Sequence, residues 1–127
     1  MKKATLIFVT VMMILSLLLI SGCKSDKFNI TGNWSVTTNI SGQSFVENYS
    51  FVGDERSGEV LYQNDSLGTY AVNGDQISFT LRYYDADDDF TVEVYTGYFD
   101  DDHTMSGEFT YSVEGYQTLA GTWVAYR

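Results

Sequence analysis

Proline is absent from all 127 residues, so nothing in the chain interrupts a β-ladder. The single cysteine, Cys23, excludes an internal disulfide, and the fold must be held by a core instead. Basic residues are scarce: seven Lys and Arg stand against 17 Asp and Glu, a formal net charge of −10. That balance lacks the basic footprint that nucleic-acid phosphates require, so nucleic acid is not an expected partner. Histidine occurs once, at His103, and there is no Gly-X-Ser-X-Gly sequence. A nucleophile–base pair therefore has no candidates, and the chain is not expected to be an enzyme. Helical spacing of apolar residues is also missing after residue 27.

The first informative feature that is present lies at the N-terminus. Met1-Lys2-Lys3 leads into residues 4–20, a mostly apolar stretch without a charge. Its 17 residues fall short of the roughly 20 of a spanning helix. A cationic start, an apolar stretch and small residues after it have the pattern of an export signal. The end of the stretch, Ile20-Ser21-Gly22-Cys23, resembles the lipobox of bacterial lipoproteins. The resemblance implies cleavage after Gly22, diacylglycerol on the Cys23 sulfur and acylation of the new amino group. Two or three acyl chains anchor a protein stably where one does not. An uncleaved signal anchor and a chance cysteine behind an ordinary signal are the alternatives. The expected organisation is a signal peptide over 1–22, a lipidated linker over 23–30 and one domain over 31–127. The expected location is the exported side of a bacterial cell membrane or outer membrane. Lys24 is not the aspartate that retains some lipoproteins at the inner membrane, so both stay open.

Removal of residues 1–22 takes Lys2 and Lys3 but no acid, leaving about one small domain with five basic and 17 acidic residues. Acidic chains that stay disordered are poor in aromatics. The chain has two Trp, ten Tyr and eight Phe, one of them (Phe8) in the signal stretch, ample for a core.

From Thr31 onward apolar and polar residues alternate, with turn residues at near-regular intervals. The pattern predicts eight strands, over 32–39, 44–52, 58–63, 66–72, 76–84, 90–99, 104–112 and 118–126. Asn73-Gly74 is the strongest turn signal, a dipeptide suited to positive φ in a tight hairpin. Eight consecutive antiparallel strands could form a sandwich or a closed up-and-down barrel, and closure removes exposed edges. The first strand holds Gly32-Asn33-Trp34, the last Gly121-Thr122-Trp123, and the fourth Gly68-Thr69-Tyr70. A glycine two residues before a large ring shares its face, so the ring can lie over a neighbouring strand's glycine. The matching ends of the first and last strands favour the barrel, in which those strands meet.

The Gly-X-Trp near the start of the first strand resembles that of the calycins: lipocalins, fatty-acid-binding proteins and avidins. "GTYAVNGDQISFTL", "MSGEFTY" and "AGTWVAYR" are similar to small bacterial lipocalin-like or avidin-like lipoprotein domains. A Thr-Asp-Tyr segment and a C-terminal helix are missing, and an avidin's biotin contacts have no matching residues. The resemblance implies an all-β, eight-stranded antiparallel barrel and transfers no ligand or cofactor.

Hairpin order assigns the loops to ends. The first, third, fifth and seventh links share one end; the other three share the opposite end with both termini. A lipid on Cys23 would lie at the termini end, and the four-link end, the open mouth in calycins, would face away from the membrane. Asp85-Ala86-Asp87-Asp88-Asp89 and Asp100-Asp101-Asp102-His103 therefore sit about 30 Å apart, at ~3.3 Å per residue, and cannot form one site. Asp85, Asp87 and Asp89 alternate as in a calcium loop, yet Phe90 stands at the glycine position and Thr96 at the bidentate glutamate position. No metal or other cofactor is expected.

The favoured phase points Trp34, Val36, Tyr70, Val72, Ile77, Phe79, Leu81, Phe90, Val92, Val94, Met105, Phe109 and Trp123 inward. In the second strand Phe45, Tyr49 and Phe51 share one face and Val46 and Val52 the other. An eight-stranded barrel is just wide enough to be filled by side chains or to hold one small ligand. The expected function is binding of a small apolar or amphipathic molecule, with Tyr49, Tyr70, Phe79, Tyr83, Phe90 and Phe109 as candidate contacts. The acidic 85–89 link at the mouth would disfavour anions. The alternative is a protein-binding module, an inhibitor or envelope interaction factor, that uses the acidic link on a filled barrel.

Overall fold

The computed structural model describes residues 28–127. The expected signal peptide, its cleavage at Gly22 and the lipid site at Cys23 lie outside the described residues. Eight strands follow in order: β1 (Gly32–Ile40), β2 (Gln43–Gly53), β3 (Ser57–Tyr62), β4 (Asp65–Asn73), β5 (Gln76–Tyr84), β6 (Phe90–Asp101), β7 (Thr104–Val113) and β8 (Leu119–Tyr126). Each pairs antiparallel with the next. β1 pairs with β8 from Ser35↔Tyr126 to Asn39↔Thr122, which closes the barrel. The predicted eight-stranded closed barrel is thus the fold, and its expected seam is real.

The tight turns follow from backbone chemistry. Ile40 pairs with Gln43 around Ser41 (φ 52°) and Gly42 (φ 84°), and Tyr62 pairs with Asp65 around Gln63 (φ 51°) and Asn64 (φ 70°). Two central residues at positive φ give the twist that two-residue hairpins need. At Asn73↔Gln76 only Gly74 has positive φ (65°), so the Asn73-Gly74 signal places the glycine first in its turn.

Large rings fill the lower and middle barrel. Tyr95 stacks between Phe79, at 4.2 Å, and Phe109, at 5.3 Å, and Trp123 meets Phe79 edge-on at 5.4 Å. Such pairs contribute about 0.5–1.5 kcal/mol each beyond the area they bury. Trp123 pairs with Gly107, which faces Gly97 on β6, and its indole N–H donates to the carbonyls of Thr96 (3.1 Å) and Glu108 (3.0 Å). The strands approach so closely there that a Cβ on Gly107 would meet the Thr96 oxygen at 2.0 Å. The ring-over-glycine arrangement anticipated from Gly-X-Trp is present, and Tyr70 lies against Gly58 in the same way.

The termini end is sealed. Phe28 stacks on Phe99 at 4.9 Å, Ile30 is fully buried, and the Trp34 indole N–H donates to the Ile30 carbonyl at 2.8 Å. The Arg127 guanidinium lies 4.5 Å over the Trp34 ring and donates to the carbonyls of Asp102 and Thr31.

One strand departs from expectation. On β6 the buried residues are Thr91, Glu93, Tyr95 and Phe99; Phe90 and Val92 are half-buried and Val94 is exposed. The expected inward set Phe90, Val92 and Val94 is therefore corrected by one residue. The reason is register. Tyr84 pairs with Phe90, Leu81 with Glu93 and Phe79 with Tyr95, and directly paired residues share a face. With Phe79 and Leu81 inside, Glu93 and Tyr95 must be inside as well.

Candidate functional site

The four-link end is open. A cavity of about 550 Å³ descends from it, within the ~300–1,000 Å³ of small-molecule sites. Ile40, Ser41, Gln43, Phe45 and Leu119 form its rim. Val36, Tyr49, Tyr95 and Phe109 line it lower down, Tyr95 and Phe109 being members of the ring stack, and Tyr83, Glu93 and Tyr111 line the wall formed by β5, β6 and β7.

Of the six candidate contacts, Tyr49, Tyr83 and Phe109 line this cavity. Phe79 is not a lining residue; it is buried beneath, stacked on the underside of Tyr95. Tyr70 stands near the opposite end, where its hydroxyl donates to the Asp54 carbonyl at 2.5 Å. Phe90 lies on the outer face beside Tyr84, 5.5 Å between ring centroids, because of the β6 register. The missed residues are Glu93, Tyr95, Glu47 and Leu119. Glu93 and Tyr95 were recoverable, since an inward Phe79 and Leu81 plus the 85–89 link imply their pairing. Glu47 is exposed beside Val36 on the β1–β2 wall and Leu119 sits at the rim, where alternation carries little burial signal.

Glu93 gives the cavity its polarity. The residue is only 8% exposed. Its Oε2 accepts from the Tyr83 hydroxyl at 2.5 Å and its Oε1 from the Tyr95 hydroxyl at 2.7 Å. Burial first, and then the Glu93 hydrogen bond and charge, push the Tyr83 phenol well above its ordinary range. Burial followed by the Glu93 charge does the same for Tyr95 and Tyr49, and more mildly for Tyr111. These phenols stay protonated and serve as neutral donors. On β2 the charge of Glu47, then its hydrogen bond, raises the Tyr62 phenol. Among the described residues none that lines the cavity is Lys, Arg or His.

The alternating aspartates behave as a turn. The Asp85 Oδ1 accepts from the backbone N–H groups of Asp87, at 2.9 Å, and Asp89, at 3.0 Å. Among the described residues no group of three or more His, Cys, Asp or Glu is arranged to hold a metal ion. His103 occupies the β6–β7 turn, at the opposite end from the cavity.

Among solved structures, EF1p2_mFAP2b bound to DFHBI is similar, with a TM-score of 0.61 and 16% identity over 77% of this chain and 93% of that one. At this identity the likeness is one of fold, an eight-stranded antiparallel closed barrel. No protein-family model matches the chain, and no curated protein matches it.

Proposed function

We propose that this is an exported lipoprotein, held at a membrane through acyl groups on Cys23, whose barrel binds a small apolar or amphipathic molecule. The observation that carries the binding reading is the cavity: about 550 Å³, open at one end, aromatic-lined, with a few convergent polar groups. The similar solved barrel was determined with DFHBI bound. A filled barrel would have favoured the protein-binding module, so the open cavity supports the ligand reading over it. Binding rather than catalysis is proposed, since the sole histidine is remote from the cavity.

The anchor and the mouth are compatible. The described chain enters across the sealed end, with Phe28 on Phe99 and Ile30 buried. An anchor at Cys23 would set that end toward the bilayer and the mouth away from it.

Native mass spectrometry of the full chain, gently extracted from membranes, tests the binding reading. Thr38 on β1 also lines the cavity, and a retained small molecule that is lost when Thr38→Trp fills it supports the reading. A folded wild-type chain that carries nothing and takes up no apolar or amphipathic probe contradicts it.

A further inference from the structure

The cavity holds a buried carboxylate whose hydrogen-bond donors among the described residues are two neutral phenols. Glu93 accepts one hydrogen bond on each oxygen, from Tyr83 and from Tyr95. An ionised carboxylate has about four acceptor positions, so roughly half of its capacity stays unused. A charge removed from water is costly unless paired as well as hydrogen-bonded. Here two phenols supply hydrogen bonds, and among the described residues no side chain that lines the cavity supplies the opposite charge.

We infer that the guest is a small organic cation, an amine with an apolar body, and that Glu93 is its anchor. This deepens the ligand-binding reading above and rests on it. Glu93 faces the cavity between two phenols, so an ammonium entering from the mouth can reach the unused lone pairs. Glu47, also in the cavity lining, is a second carboxylate. The rings of Tyr49 and Phe109, both in the cavity lining, offer an apolar body its contacts and attract a cation by their quadrupole. An anionic guest would meet a like charge in a low-dielectric space. A neutral guest without a donor would leave the carboxylate half-satisfied.

The acidic 85–89 link is a weaker selector than its composition suggests. The Asp85 Oδ1 is committed to its own turn, and Asp87 and Asp88 are exposed to solvent and salt. The discrimination sits deep in the barrel, where screening is weak.

The test compares three probes with one ring: 2-(1-naphthyl)ethylammonium, 2-(1-naphthyl)ethanol and 3-(1-naphthyl)propanoate. Each is titrated calorimetrically into the full chain in phosphatidylcholine nanodiscs, with empty nanodiscs subtracted. The ammonium should bind about tenfold to a hundredfold more tightly than the alcohol, the range of a hydrogen bond to a charged group. The propanoate should bind weakest, and the ammonium preference should survive about 0.5 M salt because the anchor is buried. Glu93→Gln should abolish the preference for the ammonium over the alcohol, because the amide keeps an acceptor oxygen and loses the charge. If that variant does not fold, Tyr83→Phe, which frees one acceptor position on Glu93, should tighten the ammonium several-fold; weaker binding there overturns the assignment. A preference abolished by salt also overturns it, because the selecting charge would then lie at the rim. Equal binding of all three probes overturns the cation inference and leaves ligand binding intact. Binding of none defeats the ligand-binding reading itself, and the inference with it.

Discussion

Trp34→Ala removes the ring that joins the first strand, the entering segment and the C-terminal residue. The ring is 1% exposed. Its N–H donates to Ile30 at 2.8 Å, Phe99 tilts against it at 6.2 Å, and Arg127 covers it at 4.5 Å. Large-to-small aromatic changes in cores cost about 3–5 kcal/mol, and the tight surroundings place this site in the upper half of that range. Part of the loss is the Ile30 carbonyl left without its donor, about 1 kcal/mol or more. Another part is the Arg127 contact, about 0.5–1 kcal/mol at a solvent-facing guanidinium. Trp34→Phe keeps a ring but drops the N–H and should cost about 1–2 kcal/mol. The assay is urea unfolding of the full chain followed by far-ultraviolet dichroism. At about 4–8 °C per kcal/mol for a domain of this size, Trp34→Ala should also lower the thermal midpoint by roughly 16–40 °C. A double-mutant cycle with Arg127→Ala isolates the ring–guanidinium coupling. A cost below about 1 kcal/mol for Trp34→Ala would refute the packing of the sealed end, since no fully buried indole is removed so cheaply.

Burial and the Glu93 charge keep the Tyr95 and Tyr49 phenols protonated above their ordinary pKa of 10.0, so beyond that pH the unfolded chain binds fewer protons than the folded one. Stability should be complete below pH 10 and fall above it by about 1.4 kcal/mol per pH unit for each phenol, a loss of about 2–3 kcal/mol by pH 11. Urea midpoints that stay flat from about pH 8 to 11 would contradict this. Gly107→Ala sets a Cβ 2.0 Å from the Thr96 oxygen and 2.6 Å from the Gly97 Cα, backbone on both counts. Its cost should reach about 3 kcal/mol in thermal unfolding, and a loss under about 1 kcal/mol would deny the close approach of β6 and β7. Cys23→Ser should abolish palmitate labelling and leave the signal uncleaved by the lipoprotein peptidase; undiminished labelling would end the proposal of a lipid anchor.

The barrel was legible because its local signals agree with one another. Gly42, Gly74 and the Gln63-Asn64 pair mark turns that need positive φ, and the runs between them alternate at period two. The Gly-X-aromatic units predicted close contacts that exist at Gly107 and Gly58. The interior chemistry was less legible, and β6 shows why. In Phe90-Thr-Val-Glu-Val-Tyr the even positions are uniformly apolar and the odd ones carry a threonine and a glutamate. Alternation alone sends the glutamate outward. The fold sends it inward because Phe79 must face Tyr95 and Leu81 must face Glu93. The two phenols that make a buried carboxylate tolerable come from Tyr83 on β5 and from Tyr95 two residues along the same strand. A pattern read strand by strand does not contain that cross-strand fact. Nor does it contain the cavity: the number of rings was plain, but whether they leave space depends on their stacking. Phe79, Tyr95 and Phe109 stack low in the barrel, and the space above them is left open.

The most direct test of the account is an equilibrium titration of the full chain in nanodiscs with N-phenyl-1-naphthylamine, a neutral apolar probe whose emission rises when it leaves water. The account predicts saturable uptake at one probe per chain, abolished by Thr38→Trp inside the cavity and unchanged by Phe90→Ala and Tyr70→Phe outside it. Uptake that never saturates above that of empty nanodiscs, or that persists undiminished in Thr38→Trp, would contradict it.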